Sequence, residues 1–310
     1  MMKSGYALIA LLLVASTSAC TQTTSGEMLL APVGDGGFVE YQVGGNPDGE
    51  PVLMIHGGGI AASFLPLMDQ PALSDYYLIR YHRRGFAEST DPSCPFGEEE
   101  QAADALAVLD HLNIAKAHVV GHSAGGPPAL YLAHNAPERV GSIVLLEGGY
   151  LPIETMEFAP RIRARIEEKT IECSPADDAQ IPSAEEFQRR LTGTFQNFFG
   201  EDWETEAERL IPGAIDQVRN DELRRERLSL QFESRYVAED FYDAIHHPVV
   251  DMFGEHGMEG FRRETERNLP NALLNFELWE LPGIGHEMQM RWPELVSESI
   301  AEWLERHPFD

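Results

Sequence analysis

The sequence carries, at residues 119–126, the stretch Val119-Val120-Gly121-His122-Ser123-Ala124-Gly125-Gly126. An apolar run leads into the pattern Gly-x-Ser-x-Gly, and apolar residues at helical spacing follow from Ala129 to Ala133. This order predicts a buried strand, a tight turn with Ser123 at its tip, and then a helix. The turn needs small neighbours because strand and helix approach closely, and the glycines supply them. Ser123 is therefore a candidate nucleophile, with its hydroxyl near the positive end of the helix dipole.

Strand and helix patterns alternate on both sides of this turn. The strand patterns cover residues 38–43, 51–55, 77–81, 142–146, 248–253 and 275–281, and helical patterns cover 98–112 and 294–304. Strands that alternate with helices favour a mostly parallel sheet with helices on both faces. We therefore predict an α/β fold with a doubly wound sheet.

The segment from about residue 151 to 240 differs from the rest of the chain. Charged helical patterns dominate it, at residues 161–172, 184–191 and 221–233, and it contains no strand pattern. It also contains an aromatic cluster, formed by Phe195, Phe198, Phe199 and Trp203. We interpret the segment as a helical cap, whose aromatic residues either line a substrate pocket or pack the core of the cap itself.

The first twenty residues have the pattern of an export signal. Lys3 gives a positive start, a short apolar run follows, and small residues precede Cys20. The apolar run is too short to span a bilayer, so an export signal is the better interpretation. The residues before Cys20 resemble a bacterial lipoprotein processing site, which would tether the protein to a membrane through a lipidated cysteine; plain cleavage and secretion is the alternative. We expect a signal at 1–20, a core formed by 27–150 and 241–310, and a cap at 151–240.

The composition is that of a globular protein, with 43% hydrophobic and 24% charged residues, but the net charge is −28. This charge repels nucleic acid and anionic membrane surfaces, so we expect no nucleic-acid partner, and a membrane tether would depend on the lipidated Cys20. Cys94 and Cys173 would meet an oxidising compartment after export. The sequence leaves open whether they form a disulfide or stay as two free thiols.

Four stretches, taken in order, resemble the α/β-hydrolase superfamily, in the branch with a helical cap between the sixth and seventh strands. They are His56-Gly57-Gly58, residues 83–89, residues 121–126, and Gly283-Ile284-Gly285-His286 ahead of Pro293-Glu294. The resemblance covers about residues 38–150 and 241 to the C-terminus. It implies a hydrolase that uses a serine nucleophile.

The resemblance also implies a role for individual residues. Ser123 would attack a carbonyl carbon, and His286 would take its proton and pass it to the leaving group. The backbone N–H groups of Ala124 and Gly58 would bind the oxyanion. A carboxylate would hold the imidazole of His286.

The position of this carboxylate departs from the family pattern. The family usually has an aspartate a few residues after the strand at 248–253, where this sequence has Gly257. Glu147 follows the strand at 142–146, a place where some relatives such as haloalkane dehalogenases carry their acid. Glu255 lies two positions before the usual place, and Asp251 lies inside the strand and is expected to point away. We favour Glu147 over Glu255; a dyad without an acid is the third arrangement.

The implied substrate is a small carboxylic ester, a lactone or a related acyl compound. A C–C bond hydrolase and a proline iminopeptidase-like enzyme are alternatives on the same fold, since fold alone does not select chemistry. A non-catalytic ligand-binding protein is the alternative from another class, because the usual aspartate is missing.

The sequence predicts no cofactor and no metal. No dinucleotide or phosphate-binding glycine pattern follows the first strand. The adjacent His246 and His247, with His256 nearby, do not share one face of a strand, so we predict no metal site there. We assign His122, inside the serine turn, no role.

Overall fold

The computed structural model describes residues 26–34, 36–92, 96–156, 160, 183–228 and 236–309. The predicted export signal with Cys20, the two other cysteines and the helical pattern at 161–172 lie outside these residues. Within the described part of the chain, each helix is too short or too polar to span a bilayer.

One sheet of eight strands organises the molecule, in the order β1-β2-β4-β3-β5-β6-β7-β8. The strands are β1 Leu29–Pro32, β2 Phe38–Gly45, β3 Pro51–Ile55, β4 Tyr77–Tyr81, β5 Ala117–His122, β6 Val140–Leu146, β7 Val249–Gly254 and β8 Phe276–Leu281. β1 pairs antiparallel with β2, and β2 with β4, whereas every pair from β4 to β8 is parallel. The predicted mostly parallel sheet is confirmed. β1 was not predicted, because a four-residue segment that ends in proline gives too short a pattern.

Helices cover both faces of this sheet. They are α1 Glu98–His111, α2 Gly126–Asn135, α3 Ala184–Phe199, α4 Trp203–Leu210, α5 Ala214–Leu228, α6 Glu259–Ala272, α7 Met288–Arg291 and α8 Pro293–Arg306. In β3, Leu53 and Ile55 face the apolar layer formed with α1 and α2, while Val52 and Met54 face the layer formed with α8. This alternation buries both faces of the strand. The helix α6 was not predicted, and it contains Pro270, which ordinarily ends a helix.

Helices α3, α4 and α5 lie between β6 and β7, at the position predicted for the cap. Phe195, Phe199 and Trp203 are buried and pack with other apolar residues of these helices. The same cluster includes Ile60, from the loop after β3, and Met290 of α7. These aromatic side chains therefore pack the core of the cap and join it to the sheet-forming part of the chain.

Candidate active site

Ser123 lies directly after β5, at the start of a short 3-10 helix that leads into α2. Its φ of 50° is in the left-handed region, which is strained for a residue with a side chain. The surrounding glycines permit this turn. A Cβ on Gly125 would overlap the carbonyl oxygen of Ile55, and a Cβ on Gly121 would lie 2.6 Å from the carbonyl oxygen of Gly125.

Glu147 is the carboxylate that contacts His286. It follows β6, has a φ of 43°, and is only 1% exposed. His286 Nδ1 donates a hydrogen bond to Glu147 Oε2 over 2.7 Å. The backbone N–H of Gly254 donates to Oε1 at 2.9 Å, and that of Met258 donates to Oε2 at 3.0 Å. The buried carboxylate is thus held by three donors, which offset the cost of removing it from water.

Gly257 supplies the space for this carboxylate. A Cβ built on Gly257 would overlap Glu147 Oε1 and lie 2.7 Å from Oε2. Gly257 occupies the position at which the sequence resemblance places the family's aspartate. A side chain at residue 257 and the observed position of the Glu147 side chain therefore exclude each other.

The other two carboxylates make different contacts. Glu255 is exposed and accepts a hydrogen bond from the backbone N–H of Gly283 at 2.9 Å. Asp251 is fully buried in β7, where its Oδ1 accepts from the N–H of Gly148 at 3.3 Å. Burial, together with the nearby charge of Glu147, raises the pKa of Asp251 well above its usual range. Asp251 therefore keeps its proton, and its polar end faces Gly148.

The contacts of His286 define its tautomer. A carboxylate only accepts hydrogen bonds, so Nδ1 carries the proton and Nε2 has a lone pair in the neutral ring. Burial lowers the pKa of His286, but the hydrogen bond to Glu147 and the negative charges of Glu287 and Glu147 outweigh it, so the pKa is raised above 6.5. A neutral imidazole with a free Nε2 has the form that a general base requires.

The loop after β3 lies against Ser123. A Cβ on Gly57 would lie 3.0 Å from Ser123 Cβ and 2.7 Å from His122 Nδ1, so this position requires glycine. Arg83 Nη2 donates to the Gly57 carbonyl at 2.7 Å and holds the loop. The N–H of Gly58 has no hydrogen-bond partner among the described residues, and space is open where its Cβ would be. Ala124 lies in the first turn of the helix, where N–H groups lack helical partners.

The structure adds contacts that the sequence reasoning missed. His122, which was assigned no role, donates from Nε2 to the carbonyl oxygen of His286 at 3.0 Å, and the two rings lie 4.8 Å apart. Phe198 of the cap places its ring 5.1 Å from that of His286. Arg291 of α7 donates to the carbonyl oxygen of Phe198 at 3.1 Å. Glu287 is buried beside His286. The only sequence signal for these contacts is position, since His122 precedes Ser123 and Glu287 follows His286. Nothing in the sequence points to the contacts made by Phe198 or Arg291.

Similarity to known proteins extends over most of the chain. The family described as alpha/beta hydrolase fold matches residues 50–258. Over 115 residues the chain is 36% identical to rhodomycin D methylesterase DnrP of Streptomyces peucetius, an alignment that covers 36% of this chain and 39% of that protein. Over 142 residues it is 30% identical to a 2-hydroxy-6-oxononadienedioate/2-hydroxy-6-oxononatrienedioate hydrolase of Paraburkholderia xenovorans, covering 44% and 49%. The chain thus spans less than half the length of these curated relatives.

A solved structure extends the similarity in fold to nearly the whole chain. It is a thermophilic esterase from Thermogutta terrifontis, which is 18% identical, with a TM-score of 0.69 over 91% of this chain and 100% of that chain. The matched family, the sheet order and the strand-to-helix turn at Ser123 agree with one another. The chain therefore belongs to the α/β-hydrolase family.

Proposed function

We propose that this protein is a serine hydrolase that cleaves a small carboxylic ester, lactone or related acyl compound through an acyl-enzyme on Ser123. The observation that carries the proposal is the 2.7 Å hydrogen bond between His286 Nδ1 and Glu147 Oε2. It leaves Nε2 of the ring free to accept a proton, and two backbone N–H groups hold the carboxylate in place.

The reaction has two halves. In the first, His286 Nε2 takes the proton of Ser123 while Oγ attacks the carbonyl carbon, and the imidazolium then gives that proton to the departing alcohol. In the second, His286 takes a proton from water, the water oxygen attacks the acyl-enzyme, and the acid leaves as Ser123 recovers its proton. The Glu147 carboxylate stabilises the imidazolium. The N–H groups of Ala124 and Gly58 would stabilise the oxyanion in both halves.

The similarity to a methylesterase supports an ester as the substrate. A C–C bond hydrolase is the second candidate, because one relative at 30% identity belongs to that class. Side-by-side assays of a short p-nitrophenyl ester and a 2-hydroxy-6-oxo-dienoate separate the two. Faster turnover of the dienoate, compared as kcat/KM, would transfer the proposal to C–C cleavage.

Covalent labelling with a fluorophosphonate, followed by peptide mapping, tests the mechanism. We expect an adduct on Ser123 in the unaltered protein, none in Ser123→Ala, and strongly reduced labelling in His286→Ala. The release of p-nitrophenol should follow the same order. A folded protein that forms no adduct would overturn the proposal and favour a ligand-binding protein on a hydrolase fold.

We also propose that the protein is exported, on the pattern of residues 1–20. Expression in a bacterial host with membrane fractionation tests this. If Cys20 is lipidated, the unaltered protein should sediment with membranes, and Cys20→Ala should release it while activity is unchanged. An unaltered protein that is found processed and free would indicate plain cleavage.

A further inference from the structure

We propose that His122, His286 and Glu287 form a binding site for a divalent transition-metal ion such as Zn²⁺, and that the bound ion switches off the base. A ring nitrogen of each histidine and a carboxylate oxygen of Glu287 lie within 4.8 Å of one another. Among the residues that the structure describes, this is the one group of three histidine, cysteine or acidic side chains with that geometry. All three side chains are buried.

Both histidines are prepared as metal ligands by the hydrogen bonds they already make. Each ring donates one N–H to a fixed acceptor: His122 Nε2 to the carbonyl of His286, and His286 Nδ1 to Glu147. Metal-binding histidines usually donate their second N–H to a carbonyl or carboxylate in this way, which fixes the tautomer. The remaining nitrogens, His122 Nδ1 and His286 Nε2, therefore carry lone pairs when the rings are neutral.

The free nitrogen of His122 lies in the neighbourhood of Ser123. His122 Nδ1 is buried and has no hydrogen-bond partner in the described part of the chain. It and Ser123 Cβ both lie within 3.0 Å of the point where Gly57 would carry a Cβ. An unpartnered acceptor nitrogen thus lies close to Ser123, whose proton the proposed reaction transfers to His286 Nε2.

Glu287 completes the ligand set. It is 8% exposed, and none of the hydrogen bonds between described residues ends on its carboxylate. Removing a carboxylate from water is costly, and a bound cation would offset that cost. Two imidazoles and one carboxylate are a ligand set that Zn²⁺ uses, whereas Mg²⁺ and Ca²⁺ prefer oxygen ligands throughout. With bonds of about 2.0–2.2 Å, tetrahedral ligands lie about 3.3–3.6 Å apart, so a gap of 4.8 Å must close by about 1.2–1.5 Å.

The consequence for activity rests on the proposed function. A metal bound to His286 Nε2 takes the lone pair that would accept the proton of Ser123. The ion would therefore inhibit hydrolysis reversibly, and a chelator would restore it. Metal binding itself does not depend on that function, so the two can be tested separately.

Zinc binding should be measured by competition with a colorimetric chelator on the mature protein. Cysteines are alkylated to exclude thiolate ligands, and excess Mg²⁺ fills oxygen-only sites on the acidic surface. We expect one Zn²⁺ per chain, and a loss of affinity of about 10-fold or more in Glu287→Gln. Glu255→Gln, which removes an exposed carboxylate on a neighbouring loop, is the matched control and should bind Zn²⁺ as the unaltered protein does. Zn²⁺ should inhibit ester hydrolysis less in Glu287→Gln than in the unaltered protein and in Glu255→Gln.

Equal zinc affinity in Glu287→Gln and the unaltered protein would overturn the inference, as would the absence of tight binding. Glu287→Gln preserves side-chain volume, and circular dichroism verifies that the variant is folded. If Zn²⁺ binds with the expected variant pattern while no ester is hydrolysed, the metal site stands and the proposed function fails. If esters are hydrolysed but Zn²⁺ neither binds these residues nor inhibits hydrolysis, the proposed function stands and the metal site fails.

Discussion

The loops that follow β6 and β7 make unequal contributions to one carboxylate site. The loop after β6 provides the carboxylate itself, Glu147. The end of β7 and the loop that follows it provide the N–H groups of Gly254 and Met258 and the space left by Gly257. Glu255, the carboxylate of the second loop, is turned outward to Gly283. The carboxylate beside His286 therefore depends on both regions. One supplies Glu147, and the other supplies two N–H donors and the space that the side chain occupies.

The two loops also differ in backbone strain. Glu147 and Ser123 are two of the four non-glycine residues with positive φ in the described chain, whereas Glu255 is not among them. Such a conformation costs about 1–3 kcal/mol and persists where the surroundings enforce it. At Glu147 the strained backbone coincides with three hydrogen bonds to the carboxylate, from Gly254, Met258 and His286.

The largest effect is expected when the carboxylate charges of Glu147 and Glu255 are removed in two separate variants. Glu147→Gln should lower kcat by about 1,000- to 10,000-fold, because an amide stabilises neither the imidazolium nor the required tautomer. Glu255→Gln should change kcat by less than about 3-fold, because an exposed carboxylate contributes little. Steady-state kinetics on a p-nitrophenyl ester measures both, with thermal melting as the folding control. The reverse pattern would move the acid to the loop after β7.

A second prediction concerns the space in the loop after β7. Gly257→Ala should displace the Glu147 carboxylate and lower kcat by about 100-fold or more, with a loss of unfolding free energy of about 1–3 kcal/mol. Gly285→Ala is the matched control, because a Cβ there has only ordinary contacts of 3.6 Å and longer.

The same space allows the acid to be moved between the loops. In a Glu147→Gly background, Gly257→Asp should recover part of the lost kcat, since it restores a carboxylate from the other loop. No recovery in a folded double variant would mean that the contribution of the β6 loop cannot be replaced.

A third, smaller effect is a shift in pH dependence. Because the pKa of His286 is raised above 6.5 and the base acts when neutral, kcat/KM should fall as pH drops through a value above 6.5. Glu147→Gln removes the carboxylate that raises the pKa of His286, so this pKa should fall. The acid limb of the residual activity should therefore move to lower pH. The acid limb of Glu255→Gln should stay in place. Profiles are measured after EDTA treatment, and an unmoved limb in Glu147→Gln would contradict the assignment.

The smallest effect is expected at Asp251, which lies beneath both loops. Since burial keeps it protonated, Asp251→Asn should leave kcat within about 3-fold, and its amide oxygen can still accept from Gly148. Because the pKa of Asp251 is raised in the folded state, the unfolding free energy of the wild-type protein falls as pH rises. The unfolding free energy of the variant relative to wild type should therefore increase with pH, which urea titrations at several pH values can measure. A large loss of kcat would show that Asp251 acts as an ionised group.

The elements that the sequence predicts are those with strong periodicity. The strands from β2 to β8 and the helices α1 and α8 appear close to their predicted bounds, because buried apolar runs fix them. Glu147 was favoured from its place at a strand end, and it is the carboxylate that contacts His286; its catalytic role stays a prediction. The sequence did not predict the group of His122, His286 and Glu287, because 164 residues separate the two histidines and only the folded sheet brings them together.

The exclusion between a side chain at residue 257 and Glu147 has a consequence for descent. A lineage that carried its acid after β7 could not acquire Glu147 while that side chain remained, because the two would occupy the same volume. The change to glycine at 257 must come first or together with the new glutamate. A lineage in which the glycine came first would pass through a sequence that has Ser123 and His286 but neither carboxylate.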